Sequence, residues 1–271
     1  MDITQLRDDF LCQLTSEALK GISIQAINGE VSRKQLEDIG KDLLESQDDV
    51  VVICGSYHGG NASFLSDADL YCIRDTEPEA ELKRQLRVIH GVPCEINVMG
   101  TAFLDKFLTV TGSMRSGRTT PSLANCGYLA GNVQLHTSIS LKARNIMESS
   151  SFRAEIEKLR ETYQYGLTSL LMDLVSDKGV MTGRMIVLQI AATLSGLFSL
   201  QCLGWNHCPQ YLARLSLQHE DVRILLSELN TVTDHYQSTG SWASVYELAL
   251  RHLNALGGAR WAGYGDATRI L

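Results

Sequence analysis

The chain has 271 residues, of which 44% are hydrophobic and 20% are charged, and it contains four prolines. This composition is typical of a folded globular protein and excludes collagen-like and low-complexity architectures. The 31 acidic residues outnumber the 24 Lys and Arg residues, which gives a formal net charge of −7. That balance disfavours a broad nucleic-acid-binding face, because phosphate contacts require many unpaired basic side chains.

The cysteines and the N-terminal residues indicate the compartment. The seven cysteines are odd in number, and no two of them have the CxxC spacing of a zinc or redox motif. We therefore expect no disulfide framework and predict a cytoplasmic location. No basic segment followed by an apolar core opens the chain, so no secretory signal is expected. An almost uncharged stretch at 185–204 is interrupted by polar residues, which favours a buried core helix over a membrane span.

Helices and strands alternate in the first half of the chain. Apolar spacing predicts amphipathic helices over 4–20 and 32–46, and Ser32 and Gln35 have the spacing of a capping box at the start of the second. Short apolar runs rich in β-branched residues predict three strands. The predicted strands are 50–54, 68–73 and 92–99. Three apolar residues at helical spacing predict a further helix over 77–90. They are Leu82, Leu86 and Ile89.

The second half has a helical pattern throughout, with apolar residues recurring at spacings of three and four. The predicted helices are 138–148, 152–176, 181–203, 208–218, 221–238 and 241–256. The predicted fold is therefore α+β. A small mixed sheet with flanking helices forms a domain at 1–137, and an all-helical domain follows at 138–271.

Charge is distributed unevenly along the chain. Residues 1–150 hold 20 acidic and 14 basic residues, whereas residues 151–271 hold 11 and 10. A window without any acidic residue separates Asp105 from Glu148, and it contains several basic side chains. They are Lys106, Arg115, Arg118, Lys142 and Arg144. Such a window is suited to a polyanion such as a triphosphate, and a solvated loop is the alternative interpretation.

Three carboxylates are predicted to converge in the first half. Strand side chains alternate between faces, so Asp67 and Asp69 lie on one face of the second strand, and Glu95 lies on the polar face of the third. If these strands are neighbours, the three carboxylates meet and need a cation to neutralise them. Mg²⁺ prefers such oxygen ligands. Gly55 and Ser56 end the preceding strand in a turn whose backbone N–H groups could hold phosphate oxygens.

At these residues the chain resembles the DNA polymerase beta-like nucleotidyltransferases, whose mark is Gly-Ser, a loop, Asp-x-Asp and a later Asp or Glu. One departure is Gly59, which stands where many relatives have Arg or Lys. The helical half is similar to antibiotic nucleotidyltransferases of the kanamycin type. The stretches that carry this second likeness are Gly127-Tyr128-Leu129, the helix from Phe152 and the apolar helix ending near Leu203.

The resemblance implies a Mg²⁺-dependent transfer of an NMP onto a hydroxyl of a small molecule such as an aminoglycoside-like antibiotic. The donor would be ATP, which gives AMP, or another NTP, which gives its own NMP. Asp67 and Asp69 would hold two Mg²⁺ ions, Glu95 would hold the one that activates the acceptor, and Gly55 and Ser56 would bind the outer phosphates. The C-terminal helical domain would bind the acceptor. Neither nucleic acid nor a membrane is an expected partner, and the chain would be a monomer or a homodimer.

The identity of the general base is left open. In kanamycin-type enzymes a Glu between two aromatic residues deprotonates the acceptor, but the matching segment here is Tyr163-Gln164-Tyr165. Gln164 cannot accept a proton, so Glu161, one turn earlier, is the nearest substitute, followed by Glu155 and Glu157. Glu95 of the metal cluster is a further candidate. Two other functions also fit the pattern. They are nucleotidyl transfer to a protein or RNA, as in toxin–antitoxin systems, and a non-catalytic nucleotide-binding module.

Overall fold

A computed structural model describes residues 20–260 apart from 61, 64, 75–81, 109–118, 177–179, 205–211 and 213–218. The chain forms two compact units. The first contains the described residues up to 108 together with Thr120–Arg144, and the second contains Thr119 and those from Asn145 onward. The predicted α+β fold is confirmed. The helices predicted over 4–20 and 208–218 lie outside the described residues, apart from Lys20 and Leu212.

The first unit is built on a mixed five-stranded sheet. Its strands are β1 (Val50–Ile53), β2 (Ala68–Arg74), β3 (Lys83–Ile89), β4 (Val92–Gly100) and β5 (Gly127–Gly131). They lie in the order β3-β4-β2-β1-β5, with β2 and β4 parallel and the other neighbours antiparallel. The three predicted strands are thus confirmed as β1, β2 and β4, and the unpredicted β5 pairs with β1.

Within the part of the chain that the structure describes, six helices accompany the sheet. They are α1 (Ile24–Ile27), α2 (Arg33–Asp42), α3 (Gly55–His58), α4 (Thr101–Phe107), α5 (Thr119–Ala124) and α6 (Val133–Glu148). The predicted capping box of α2 is confirmed, since the Ser32 hydroxyl accepts from the Gln35 N–H and the Ser32 N–H donates to Oε1 of Gln35 at 3.0 Å. This reciprocal pairing satisfies two N–H groups at the helix start. The helix ends at Asp42, four residues earlier than predicted.

The helix predicted over 77–90 is wrong where the structure describes it, because Lys83–Ile89 forms strand β3. His90 and Gly91 both have positive φ, 49° and 75°, as in the tight turns that join antiparallel strands. Strand β3 lies at the sheet edge, and Leu86 is 76% exposed. An edge strand exposed on both faces lacks the alternation of buried and polar residues that marks a strand in sequence.

The second unit is helical, as predicted. The helices among its described residues are α7 (Ser150–Val175), α8 (Val180–Leu203), α9 (Glu220–Thr239) and α10 (Ala243–Ala255). One apolar cluster joins all four, with Leu167 of α7, Ile190 of α8, Leu225 of α9 and Leu253 of α10 almost fully buried. This shared core is the main source of stability for helices that would be marginal in isolation.

Helix α8 contains the apolar stretch noted in the sequence. Among the described residues, its segment Thr182–Gln201 alone is long and apolar enough to cross a membrane, with a mean hydropathy of 1.4. Half of that segment is buried within the protein, including Ile190 and Leu194 in the helical core. One such helix is weak grounds for a membrane span, because core helices of globular proteins meet the same criteria.

Candidate metal centre

Three carboxylates lie together on one face of the sheet. Strands β2 and β4 are parallel neighbours, and their register places Asp69 directly opposite Glu95. Asp67 precedes β2, two residues before Asp69. One carboxylate oxygen from each residue lies within 4.8 Å of the others, and all three residues are partly buried. The convergence predicted from strand alternation is therefore confirmed, and these three residues are called the acidic triad below.

The opposite face of the same strands fixes the acidic triad in place. Leu70 and Cys72 of β2 and Cys94 and Ile96 of β4 are almost fully buried in the core of the sheet. Burial raises the pKa of the Cys94 thiol to about 11, so that this thiol stays neutral and adds no charge behind the acidic triad. Strands held by a packed face present their other side chains with little freedom.

Gly55 brings the end of β1 against the acidic triad. It has φ +64°, and a Cβ at this position would lie 1.8 Å from Oδ2 of Asp69. The N–H of Cys54 donates to the backbone oxygen of Asp69 at 2.9 Å, which ties the two segments together. A glycine is thus required here both by the positive φ and by the close approach to a site carboxylate.

The neighbouring residues of this turn differ in their surroundings. Ser56 is partly buried within the single turn of helix that follows Gly55. His58 lies against β5, since a Cβ on Gly127 would be 2.5 Å from its Nδ1. Partial burial lowers the pKa of His58, so the imidazole is largely neutral at pH 7. Ser56 stays a predicted phosphate contact, and His58 lies next to Gly127 of β5.

Two side chains hold the carboxylate of Glu95. The Arg84 guanidinium on β3 donates from Nη2 to Oε2 of Glu95, and Nδ2 of Asn97 donates to Oε1 at 3.3 Å. Arg84 pairs in register with Asn97, two residues along the strands from the Leu86–Glu95 pair. The bond to Glu95 raises the pKa of Arg84. Sequence reasoning missed Arg84 because it assigned this segment to a helix; the His90-Gly91 turn signal could have revealed the strand.

The chemistry of the acidic triad suits a divalent cation. Three carboxylates within 4.8 Å repel one another, and an opposite charge placed among them removes that repulsion. Mg²⁺ binds through a few carboxylates together with water and substrate phosphates. The donor set of Asp67, Asp69 and Glu95 therefore fits the ion that the sequence pattern predicts.

The glutamine that replaces the expected base is a structural residue. Gln164 is 2% exposed, and its Nε2 donates to the backbone oxygen of Leu256 at 3.0 Å. The amide therefore links α7 to the end of α10 within the helical core. Glu161, the substitute predicted from sequence, forms an ion pair with Nη1 of Arg260 at 2.6 Å. The role of Glu161 as a base stays a prediction.

Basic residues of the acid-free window take part in local contacts. Nζ of Lys142 lies 2.5 Å from Oδ1 of Asp105, and Nε of Arg144 donates to the backbone oxygen of Ala124 at 2.8 Å. Arg115 and Arg118 lie outside the described residues. The triphosphate role of this window stays a prediction.

No protein-family model matches the chain, and no curated protein matches it significantly. Among solved structures, the chain is similar to a nucleotidyltransferase-like protein from Exiguobacterium sibiricum, with 13% sequence identity and a TM-score of 0.44. The alignment covers 83% of this chain and 73% of that protein. Nothing in this likeness bears on an antibiotic acceptor.

Proposed function

We propose that the protein is a Mg²⁺-dependent nucleotidyltransferase that moves an NMP, AMP from ATP, onto a hydroxyl of a small molecule. The observation that carries this proposal is the acidic triad, whose carboxylate oxygens lie within 4.8 Å of one another. The glycine turn at Gly55 is packed directly against it. A cation site beside the backbone N–H groups of such a turn suits a nucleoside triphosphate.

Each residue of the site has a proposed task. Asp67 and Asp69 would hold the two metal ions, and Glu95 would be a ligand of the ion that activates the acceptor. When bound, Mg²⁺ neutralises charge on the phosphates and orients the reacting oxygens. Gly55 and Ser56 bind the outer phosphates through backbone N–H groups.

The proposed reaction is a single displacement at the α-phosphorus. A bond forms between the acceptor oxygen and the α-phosphorus while the bond to the β-phosphate oxygen breaks, and pyrophosphate leaves with that electron pair. The hydroxyl proton passes to a carboxylate. Glu95 is the first candidate for this base because it belongs to the acidic triad, and Glu161 is the second.

Transfer is tested by incubating the purified protein with Mg²⁺, each NTP and a panel of hydroxyl-bearing small molecules that includes aminoglycosides. Mass spectrometry should detect an acceptor that has gained the mass of an NMP, with pyrophosphate released in equal amount. The Asp69→Asn variant should form product at least about 100-fold more slowly. Product on the protein itself or on added RNA would contradict the small-molecule acceptor, and ATP binding without any transfer would contradict the enzyme.

A further inference from the structure

We propose that Arg84 is a positioning residue that holds Glu95 in the acidic triad and competes with the divalent cation for its carboxylate. A residue of strand β3 then changes the affinity for the metal, although this strand contributes no ligand. This inference rests on the proposed metal role of the acidic triad. It concerns Arg84 and not the identity of the acceptor.

The contacts of Glu95 are the first ground for this proposal. Arg84 donates to one carboxylate oxygen and Asn97 to the other. A cation that binds Glu95 must therefore share an oxygen with one of these donors or displace it. The guanidinium is the group that can move, because Asn97 is 5% exposed whereas the Arg84 side chain is 64% exposed at the sheet edge.

Charge is the second ground. The acidic triad carries three negative charges when ionised, and the contact with Arg84 supplies one positive charge. Without metal, the guanidinium relieves part of the repulsion among the carboxylates, which stabilises the fold. With metal bound, the same positive charge repels the cation. Arg84 therefore acts in opposite directions on the stability of the metal-free protein and on metal affinity.

The size of the effect follows from Coulomb's law. A single and a double positive charge about 5 Å apart in water, at about 0.1 M salt, repel by an amount that changes an affinity roughly fivefold. Losing the guanidinium also frees the Glu95 side chain. The resulting decrease in metal affinity is limited, because Glu95 is only 16% exposed and keeps its contact with Asn97.

The experiment is a titration of the full chain with Mn²⁺, with the free ion followed by electron paramagnetic resonance. Thermal unfolding of each variant is measured with and without Mn²⁺. The variants are Arg84→Gln, Arg84→Ala and Arg84→Lys. Arg87→Gln is the matched control, since Arg87 is an exposed basic residue of the same strand on its opposite face.

Arg84→Gln and Arg84→Ala should bind Mn²⁺ about fivefold more tightly than the original protein, and both should unfold at a lower temperature without metal. Arg84→Lys keeps the charge, so its affinity should stay within about twofold of the original, as should that of Arg87→Gln. Affinity and metal-free stability thus move in opposite directions, which loss of structure alone would not produce.

Two outcomes would overturn the proposal. Unchanged Mn²⁺ affinity in both neutral variants would show that Arg84 does not compete with the ion. Weaker binding together with lower stability would show that Arg84 only supports the local fold. Failure of the proposed function would differ from both outcomes. In that case the original protein would show no saturable Mn²⁺ binding, or its binding would be unaffected by Asp67→Asn.

Discussion

Acidic residues occur in clusters in both units, and the two clusters are neutralised in different ways. On helix α7, Glu155 pairs with Lys158 at 2.7 Å and Glu157 pairs with Arg160, each within one turn. Glu161 pairs with Arg260. In the sheet, three carboxylates lie within 4.8 Å of one another, and the guanidinium of Arg84 contacts one of them.

The difference separates surface charge from a site. One-to-one pairs on an exposed helix each contribute little to stability and need no further partner. Like charges that strand register forces together are costly unless a cation joins them. Proximity of acidic residues in sequence is therefore a poor guide to function, whereas their position on paired strands is a good one. Apart from the controls, each of the following variants changes either the acidic triad and its surroundings or helix α7, but not both.

The largest effect is expected in the acidic triad itself. Asp67→Asn or Asp69→Asn should lower transfer by at least about 100-fold, because each removes a metal ligand. The fold should persist, since an amide has the same shape and removes repulsion from the cluster. Steady-state kinetics and circular dichroism check both expectations. Asp105→Asn, which breaks an exposed pair with Lys142, is the control, and equal losses in the control would refute the assignment.

The second effect tests the close approach of β1 to the acidic triad. Gly55→Ala places a methyl group 1.8 Å from the original position of Asp69 Oδ2, so Asp69 must move. A displacement of about 1 Å can cost about 100-fold in rate. Gly60→Ala is the matched control, because Gly60 has a similar φ of +67° with nothing near the added atom. Comparable activity of the two variants in the transfer assay would contradict the packing described here.

A third variant tests whether Gln164 is structural. Gln164→Glu replaces the amide donor with a carboxylate facing the backbone oxygen of Leu256, inside the core. We expect the free energy of unfolding to fall by about 1–3 kcal/mol, without any gain in transfer rate. Urea unfolding measures the loss, and Gln189→Glu, on an exposed position of α8, should be close to neutral. Faster transfer by Gln164→Glu would instead show that this position is a vacant base site.

The smallest effect is expected at Glu161. Its ion pair with Arg260 is about half exposed, and such pairs contribute about 0–1 kcal/mol. Glu161→Gln should therefore unfold almost as the original protein does. The transfer rate decides between the two candidate bases: a change of less than about threefold assigns the base to Glu95, and a loss of about 100-fold with an altered pH profile assigns it to Glu161.

Sequence reasoning succeeded where one face of an element is buried. Strands β2 and β4 alternate between core residues and the acidic triad, so their pattern predicted both the strands and the position of Asp67, Asp69 and Glu95. The four long helices of the second unit were predicted for the same reason, since each buries one stripe in a shared core.

The strands were not predicted where they lack a recognisable alternation of buried and exposed residues. Strand β3 is exposed on both faces, and the chance spacing of its apolar residues resembled a helix. Strand β5 has only five residues and a glycine at each end, which weakens any strand signal. Arg84 was missed together with β3, because its contact with Glu95 depends on the antiparallel register of the hairpin and not on local sequence.

The central claim is that the acidic triad binds the metal ions of a nucleotidyltransferase. The most direct test is anomalous diffraction from crystals grown with Mn²⁺ and a non-hydrolysable ATP analogue. Anomalous peaks are expected at the carboxylates of Asp67, Asp69 and Glu95, with the analogue's phosphates against Gly55 and Ser56. An analogue bound elsewhere, with no manganese at these three carboxylates, would contradict it.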